Sequence, residues 1–179
     1  PARDVLAAQV AGRARDQIRT ALVAGHRHLG HDAHAHAELD ALLLAGRYTL
    51  LDTSALPGLM PTLQQRGVAL ALGGVFNSGI LASRIDAART LTFNYAPAQQ
   101  VWIDKALRLQ AVCDRHGVPI EAAALQFALH HPATALVLLG ARPVQERDHA
   151  RQAAKVHIPA DLWAELRYEA LIPEEAPTP

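Results

Sequence analysis

The hydrophobic pattern changes character several times along the chain. Leu6, Val10, Ala14, Ile18, Ala21 and Leu22 recur at helical spacing with Arg and Asp between them, which predicts a helix over residues 4–24. Residues 25–36 are rich in His and Gly and show no period. Three continuous apolar blocks follow, at residues 39–45, 68–72 and 134–139. Such runs are the mark of strands buried on both faces, as in a parallel sheet. Between them lie helical stretches. One is capped by Thr53 or Ser54 and runs to Arg66, with Pro57 in its first turn and Gly67 as its stop. Others span 98–116, 119–131, 143–155 and 160–171, while 83–96 reads as an irregular excursion. The strand–helix alternation predicts an α/β fold with a parallel sheet joined by right-handed crossovers. Three strands are too few for a complete doubly wound sheet or a complete barrel.

Composition narrows the function classes. Half of the 179 residues are hydrophobic and 19% are charged, so the chain can build a core. Lys plus Arg and Asp plus Glu are both 17, which removes the basic footprint of a nucleic-acid binder. No apolar run reaches membrane-spanning length, so no membrane partner is expected. The single cysteine, Cys113, excludes an internal disulfide and fits a reducing, cytoplasmic setting. It falls on the apolar side of a helix, where an inert thiol is expected. The start at Pro1 rather than Met leads to the expectation of a fragment. His26, His28, His31, His34 and His36 cluster locally, yet their spacing makes no recognised metal motif, and no metal site is expected.

Four ordered segments carry a family resemblance. Residues 42–56 (LLLAGRYTLLDTSAL) resemble the sixth strand and following turn of the aldo/keto reductases, in the branch that holds D-threo-aldose 1-dehydrogenase. Residues 73–82 (GGVFNSGILA) resemble the loop after the seventh strand. Residues 117–132 (GVPIEAAALQFALHHP) resemble the seventh helix, and 136–142 (LVLLGAR) the eighth strand and its exit loop. The resemblance implies a partial (β/α)8 TIM barrel over 35–171, made of the sixth to eighth strand units plus C-terminal helices. Residues 1–34 do not resemble the family on this reading, and 172–179 form a frayed tail.

The same resemblance implies an oxidoreductase that passes hydride between NADP or NAD and an aldose or related small carbonyl. Tyr48 would stack on the nicotinamide. Gly74, Phe76, Asn77 and Ser78 would hold the pyrophosphate, since glycines let backbone N–H groups approach phosphate oxygens. Gly140, Ala141, Arg142 and Glu146 would meet the adenosine end, with Arg142 suited to a 2′-phosphate. Ala150 stands where many relatives carry Asn. The family's catalytic Asp, Tyr, Lys and His belong to the first half of the barrel and have no counterpart here. Residues 52–58 echo the catalytic Asp-Thr-Ser-x-x-Tyr-Gly stretch, but Pro57 occupies the tyrosine position. The expectation is therefore a cofactor-holding half without catalytic residues, which self-associates or requires a missing N-terminal half. The alternative is an inactive truncated relic, or a nucleotide-binding half-barrel that needs a partner chain.

Overall fold

The computed structural model describes residues 21–24, 39–86, 90–141 and 144–179. Four parallel strands form the main sheet: β1 (Ala21–Ala24), β2 (Ala41–Ala45), β3 (Ala69–Gly73) and β6 (Thr134–Leu138), side by side in that order. Two-residue strands β4 (Thr92–Phe93) and β5 (Ala96–Pro97) make a separate antiparallel hairpin. The helices are α1 (Leu59–Gln65), α2 (Gln100–Arg115), α3 (Ile120–His130), α4 (Val144–Ala153) and α5 (Ala160–Tyr168). Strand, helix, strand, helix pair, strand, helix pair is the order that the apolar blocks predicted.

The helices cover one face of the sheet. Leu42 and Leu44 of β2 and Leu70 and Leu72 of β3 are buried there with Leu109 and Val112 of α2 and Phe127 of α3. α1 packs on β3, α3 packs on β6, and α2 joins α3 to α5. Each buried leucine contributes on the order of 1.5–3 kcal/mol. Helix α2 ends as its sequence asks: Gly117 takes φ +64°, its N–H donates to Asp114 O, and Val118 N–H donates to Cys113 O at 2.9 Å. That pair of bonds closes the helix through a left-handed residue, where glycine costs least.

Several elements differ from the sequence expectation. Residues 21–24 pair with β2 as a strand, so the periodicity over 4–24 does not end as one helix. A parallel neighbour satisfies backbone groups that an amphipathic helix would have satisfied internally. Helix α1 begins at Leu59, with Gly58 at its cap and no side-chain cap bond. Ser54 N–H is instead taken by the Asp52 carboxylate at 3.0 Å, a local turn that competes with helix. It is Pro61, not Pro57, that sits in the first turn, where a missing N–H is harmless. The excursion at 83–96 contains the start of the small hairpin. The tail also packs: Ala176 is buried, and Arg167 donates to Ala176 O at 3.0 Å and to Thr178 Oγ1 at 2.7 Å.

The largest difference concerns the sheet's second face. The apolar blocks predicted strands covered on both sides, yet burial alternates along β2, with Ala41, Leu43 and Ala45 only partly covered. On β6, Leu136 and Leu138 are 45% and 49% exposed.

Candidate functional site

The carboxyl ends of β2 and β3 meet in a glycine-lined corner. Parallel α/β folds bind ligands at this end of their strands, because the loops there are free to vary. Gly46 leaves β2 at φ +67° and donates its N–H to Gly73 O at 2.9 Å. Gly74 leaves β3 at φ +63°, and a methyl on it would stand 3.4 Å from Gly46 N. The two backbones approach this closely because neither carries a side chain.

After Gly74 the chain makes a tight turn of strained residues. Asn77 and Ser78 adopt φ +45° and +60°, and Gly79 φ +98°. Left-handed backbone at two successive non-glycine residues costs energy and concentrates at ligand sites. Asn77 is 2% exposed, and neither its Oδ1 nor its Nδ2 has a hydrogen-bond partner. Its Nδ2 lies 4.0 Å from where a Gly46 Cβ would be. Burying an amide unpaired costs about 1–3 kcal/mol for each group left unsatisfied. Tyr48 Oη, Thr134 Oγ1 and Trp163 Nε1 are also unpartnered.

Ser78 is occupied in holding the hairpin. Its Oγ accepts from Tyr95 N–H at 2.9 Å, and its carbonyl accepts from Thr92 Oγ1 at 2.9 Å. The hairpin tip, Asn94–Tyr95, reaches the same corner, with Asn94 Oδ1 3.7 Å from the Gly46 Cβ position. Phe93 anchors its base by stacking on Trp102 of α2, with centroids 4.3 Å apart. Asn94 and Tyr95 lay outside the sequence expectation. The signal that points to them is a turn-favouring Asn directly after the apolar Phe93.

The β2 exit loop is braced by charge. Arg47 Nη1 donates to Asp52 Oδ2 at 2.7 Å, and Asp52 N–H donates to Thr49 Oγ1. Lys105 of α2 donates from Nζ to Leu51 O at 3.0 Å, and burial holds its pKa below the ordinary lysine value. Tyr48 lies in this loop and is buried. Its ring is 1% exposed, stacks on Phe127 at 5.0 Å and meets His131 edge-on at 5.1 Å. Burial raises its hydroxyl pKa far above the ordinary range. The ring is packed within the structure, against Phe127, rather than standing exposed. The reason is packing: an aromatic ring buries 150–250 Å² and dominates the local energetics.

The remaining expected residues are placed as follows. Gly74 is exposed, and Phe76 is half-buried against the core. Gly140 and Ala141 are exposed beyond β6, and Glu146 is exposed in the first turn of α4. Arg142 and the histidines of 26–36 lie outside the described residues. No cluster of metal-ligating side chains occurs among the described residues, and no helix there is long and apolar enough to cross a membrane.

The sequence pattern of the aldo/keto reductase family matches residues 9–168. The chain belongs to the aldo/keto reductase family. The match reaches into residues 1–34, which the resemblance alone had set apart. Among curated relatives, pyridoxal 4-dehydrogenase of Microbacterium luteolum is 42% identical over 141 residues, covering 79% of this chain and 41% of that protein. D-threo-aldose 1-dehydrogenase of a Pseudomonas species is 38% identical over 138 residues, covering 76% of this chain and 41% of that protein. The chain therefore spans about two-fifths of the length of these relatives. Among solved structures, an aldo-keto reductase from Bacillus halodurans in its apo form superposes with a TM-score of 0.58 at 20% identity. That superposition covers 75% of this chain and 44% of the other, and it speaks for the fold alone. The family is one of oxidoreductases, and NAD(P) is its typical cofactor.

Proposed function

We propose that the chain is the cofactor-holding part of an NAD(P)-dependent aldo/keto reductase, acting on an aldose or a related small carbonyl. In this reading the sheet is part of a (β/α)8 barrel, with β1, β2, β3 and β6 as its fifth to eighth strands. The observation that carries the reading is Asn77: a buried amide with no partner, in a glycine corner at the carboxyl ends of parallel strands. A pyrophosphate fits such a site. Its oxygens accept from the Asn77 amide and from backbone N–H groups of the Gly74–Gly79 turn. When bound, the nicotinamide group supplies the hydride chemistry. This chain's residues bind and orient the dinucleotide. Gly46 and Gly74 admit it closely, and Ser78 fixes the hairpin beside it. Gly140, Ala141, Arg142 and Glu146 hold the adenosine end, and Arg142 decides between NADP and NAD. A buried thiol, Cys113, whose pKa burial raises to about 12, suits a reducing cytoplasmic setting.

A second reading rests on the absence of a counterpart to the family's catalytic residues in the resemblance. It holds that the chain alone is a non-catalytic relic, or a nucleotide-binding half that works with another chain.

Calorimetric titration with NADP and NAD tests the reading. Asn77→Gly keeps the left-handed turn and deletes the amide, so both cofactors should bind about tenfold more weakly. Arg142→Ala should weaken NADP roughly ten- to a hundredfold and NAD much less, because a charge-assisted contact is lost. Failure of the parent chain to bind either cofactor would overturn the cofactor reading and leave the relic.

A further inference from the structure

Lys105 is a nucleophilic side chain that the proposed cofactor site leaves unused. It and Lys155 are the two lysines of the chain. Lys105 lies on α2, half-buried, and its Nζ donates to Leu51 O at 3.0 Å. Among the described residues that carbonyl is its one hydrogen-bond partner, and no carboxylate forms an ion pair with it. Asp52, the carboxylate whose charge acts on it, is already engaged. Its Oδ2 accepts from Arg47 Nη1 at 2.7 Å and its Oδ1 from Ser54 N–H at 3.0 Å. Asp104, next to Lys105 on α2, accepts from Gln100 Nε2 at 2.8 Å. Arg108 stands one turn further along α2 and adds a like charge. Its own guanidinium is directed at Glu169, donating to the backbone O at 2.9 Å.

An ammonium in this place has given up part of its water without gaining a counter-ion of its own. Burial lowers its pKa from the ordinary lysine value; Asp52 opposes the shift and Arg108 adds to it. A neutral amine keeps an N–H for Leu51 O and still offers its lone pair, which is how a desolvated lysine becomes a nucleophile toward carbonyls. We propose that Lys105 is a covalent capture site for small aldehydes, held as a reversible imine. The Nζ lone pair adds to the carbonyl carbon, and an amine proton passes to the carbonyl oxygen. The carbinolamine then loses water and leaves a C=N bond. Nothing is oxidised or reduced in these steps. Half-burial limits the site to small aldehydes. The protonated imine retains one N–H, so the bond to Leu51 O survives capture and the β2 exit loop stays braced. The site is independent of the cofactor reading, because it uses neither the glycine corner nor a nucleotide.

Glycolaldehyde with cyanoborohydride, which reduces the imine to a stable secondary amine, provides the test on the full chain without cofactor. Peptide mapping by mass spectrometry follows both lysines in the same sample, and the exposed Lys155 is the internal reference. Near neutral pH the initial rate at Lys105 should exceed that at Lys155 several-fold. In concentrated urea the two rates should become equal, because the fold makes the difference. The Lys105 rate should level off at a lower pH than that of lysine in an unstructured peptide, whose pKa is about 10.4. Arg108→Gln removes the like charge on the exposed side of α2, and it should slow Lys105 while leaving Lys155 unchanged. Equal or faster labelling of Lys155 in the folded chain, or labelling of Lys105 only after denaturation, would overturn the capture site. An unchanged rate ratio in Arg108→Gln, with unchanged circular dichroism, would overturn the role given to the charge cluster. NADP titration of the unlabelled chain reports on the cofactor site separately, so either idea can fail without the other.

Discussion

Tyr48 and His131 show how burial decides what a polar residue can do. The Tyr48 hydroxyl is buried without a partner, while its ring carries the packing. Tyr48→Phe should therefore leave stability unchanged or raise it by up to about 1 kcal/mol, since an unsatisfied group is removed. It should also leave cofactor affinity unchanged. Tyr48→Ala should cost roughly 3–5 kcal/mol, as large aromatic truncations do. Urea denaturation measures both, and a marked loss in the Phe variant would reveal a partner for the hydroxyl. His131 accepts from Ala133 N–H through Nδ1 at 3.1 Å, and burial lowers its pKa to about 4. Its ordinary value is about 6.5, so the unfolded chain takes up a proton first as the solution is acidified. The stability tied to neutral His131 is complete above pH 6.5 and is lost as pH falls toward 4. The loss is on the order of 2–3 kcal/mol. Denaturant midpoints measured from pH 7 to 4 should fall more steeply for the parent than for His131→Asn, which keeps an acceptor but does not titrate. Parallel curves would assign the acid sensitivity elsewhere.

The β4–β5 hairpin carries strain that its sequence does not relieve. A two-residue loop with positive φ at both positions is the turn that suits paired antiparallel strands, and it favours Asn-Gly. Here the pair is Asn94–Tyr95, with φ +53° and +63°. Tyrosine in the left-handed region costs about 1–2 kcal/mol relative to glycine. Tyr95 is also 84% exposed. Tyr95→Gly should therefore stabilise the hairpin by about 1 kcal/mol. Slower amide hydrogen exchange at residues 92–97 would report this. Strain kept at an exposed aromatic beside the Asn77 corner is the pattern of a ligand-facing turn, so the same variant should bind cofactor no better despite its more stable hairpin. Tighter binding would mean that the tyrosine serves no ligand.

On the proposed reading, the whole molecule holds a cofactor without the family's catalytic residues. The family's catalytic Asp, Tyr, Lys and His find no counterpart in the resemblance. General acid–base catalysis contributes about 10²–10⁴-fold. The purified chain should therefore give only trace NAD(P)H with fucose, arabinose or galactose. Turnover in the usual enzymatic range of about 1–10³ per second would show that a proton-transfer residue exists within these 179 residues.

Much of this protein was legible without coordinates. The apolar blocks around Leu43, Leu70 and Leu136 located three strands, because continuous β-forming runs between helices leave few alternatives. Gly67 and Gly117 located two helix ends, because left-handed closure needs glycine. The GGVFNSGILA segment marks the loop of the proposed site through its glycines and through the family resemblance. The rest needed tertiary contacts. β1 exists because β2 offers it a parallel ladder, which residues 21–24 do not announce. Tyr48 is buried where Phe127, distant in sequence, supplies a stacking face. The corner at Asn77 requires Gly46 and Gly74, distant in sequence, to touch. Local pattern fixes which segments are apolar and where they stop; only the packed chain decides which polar atoms are buried without a partner.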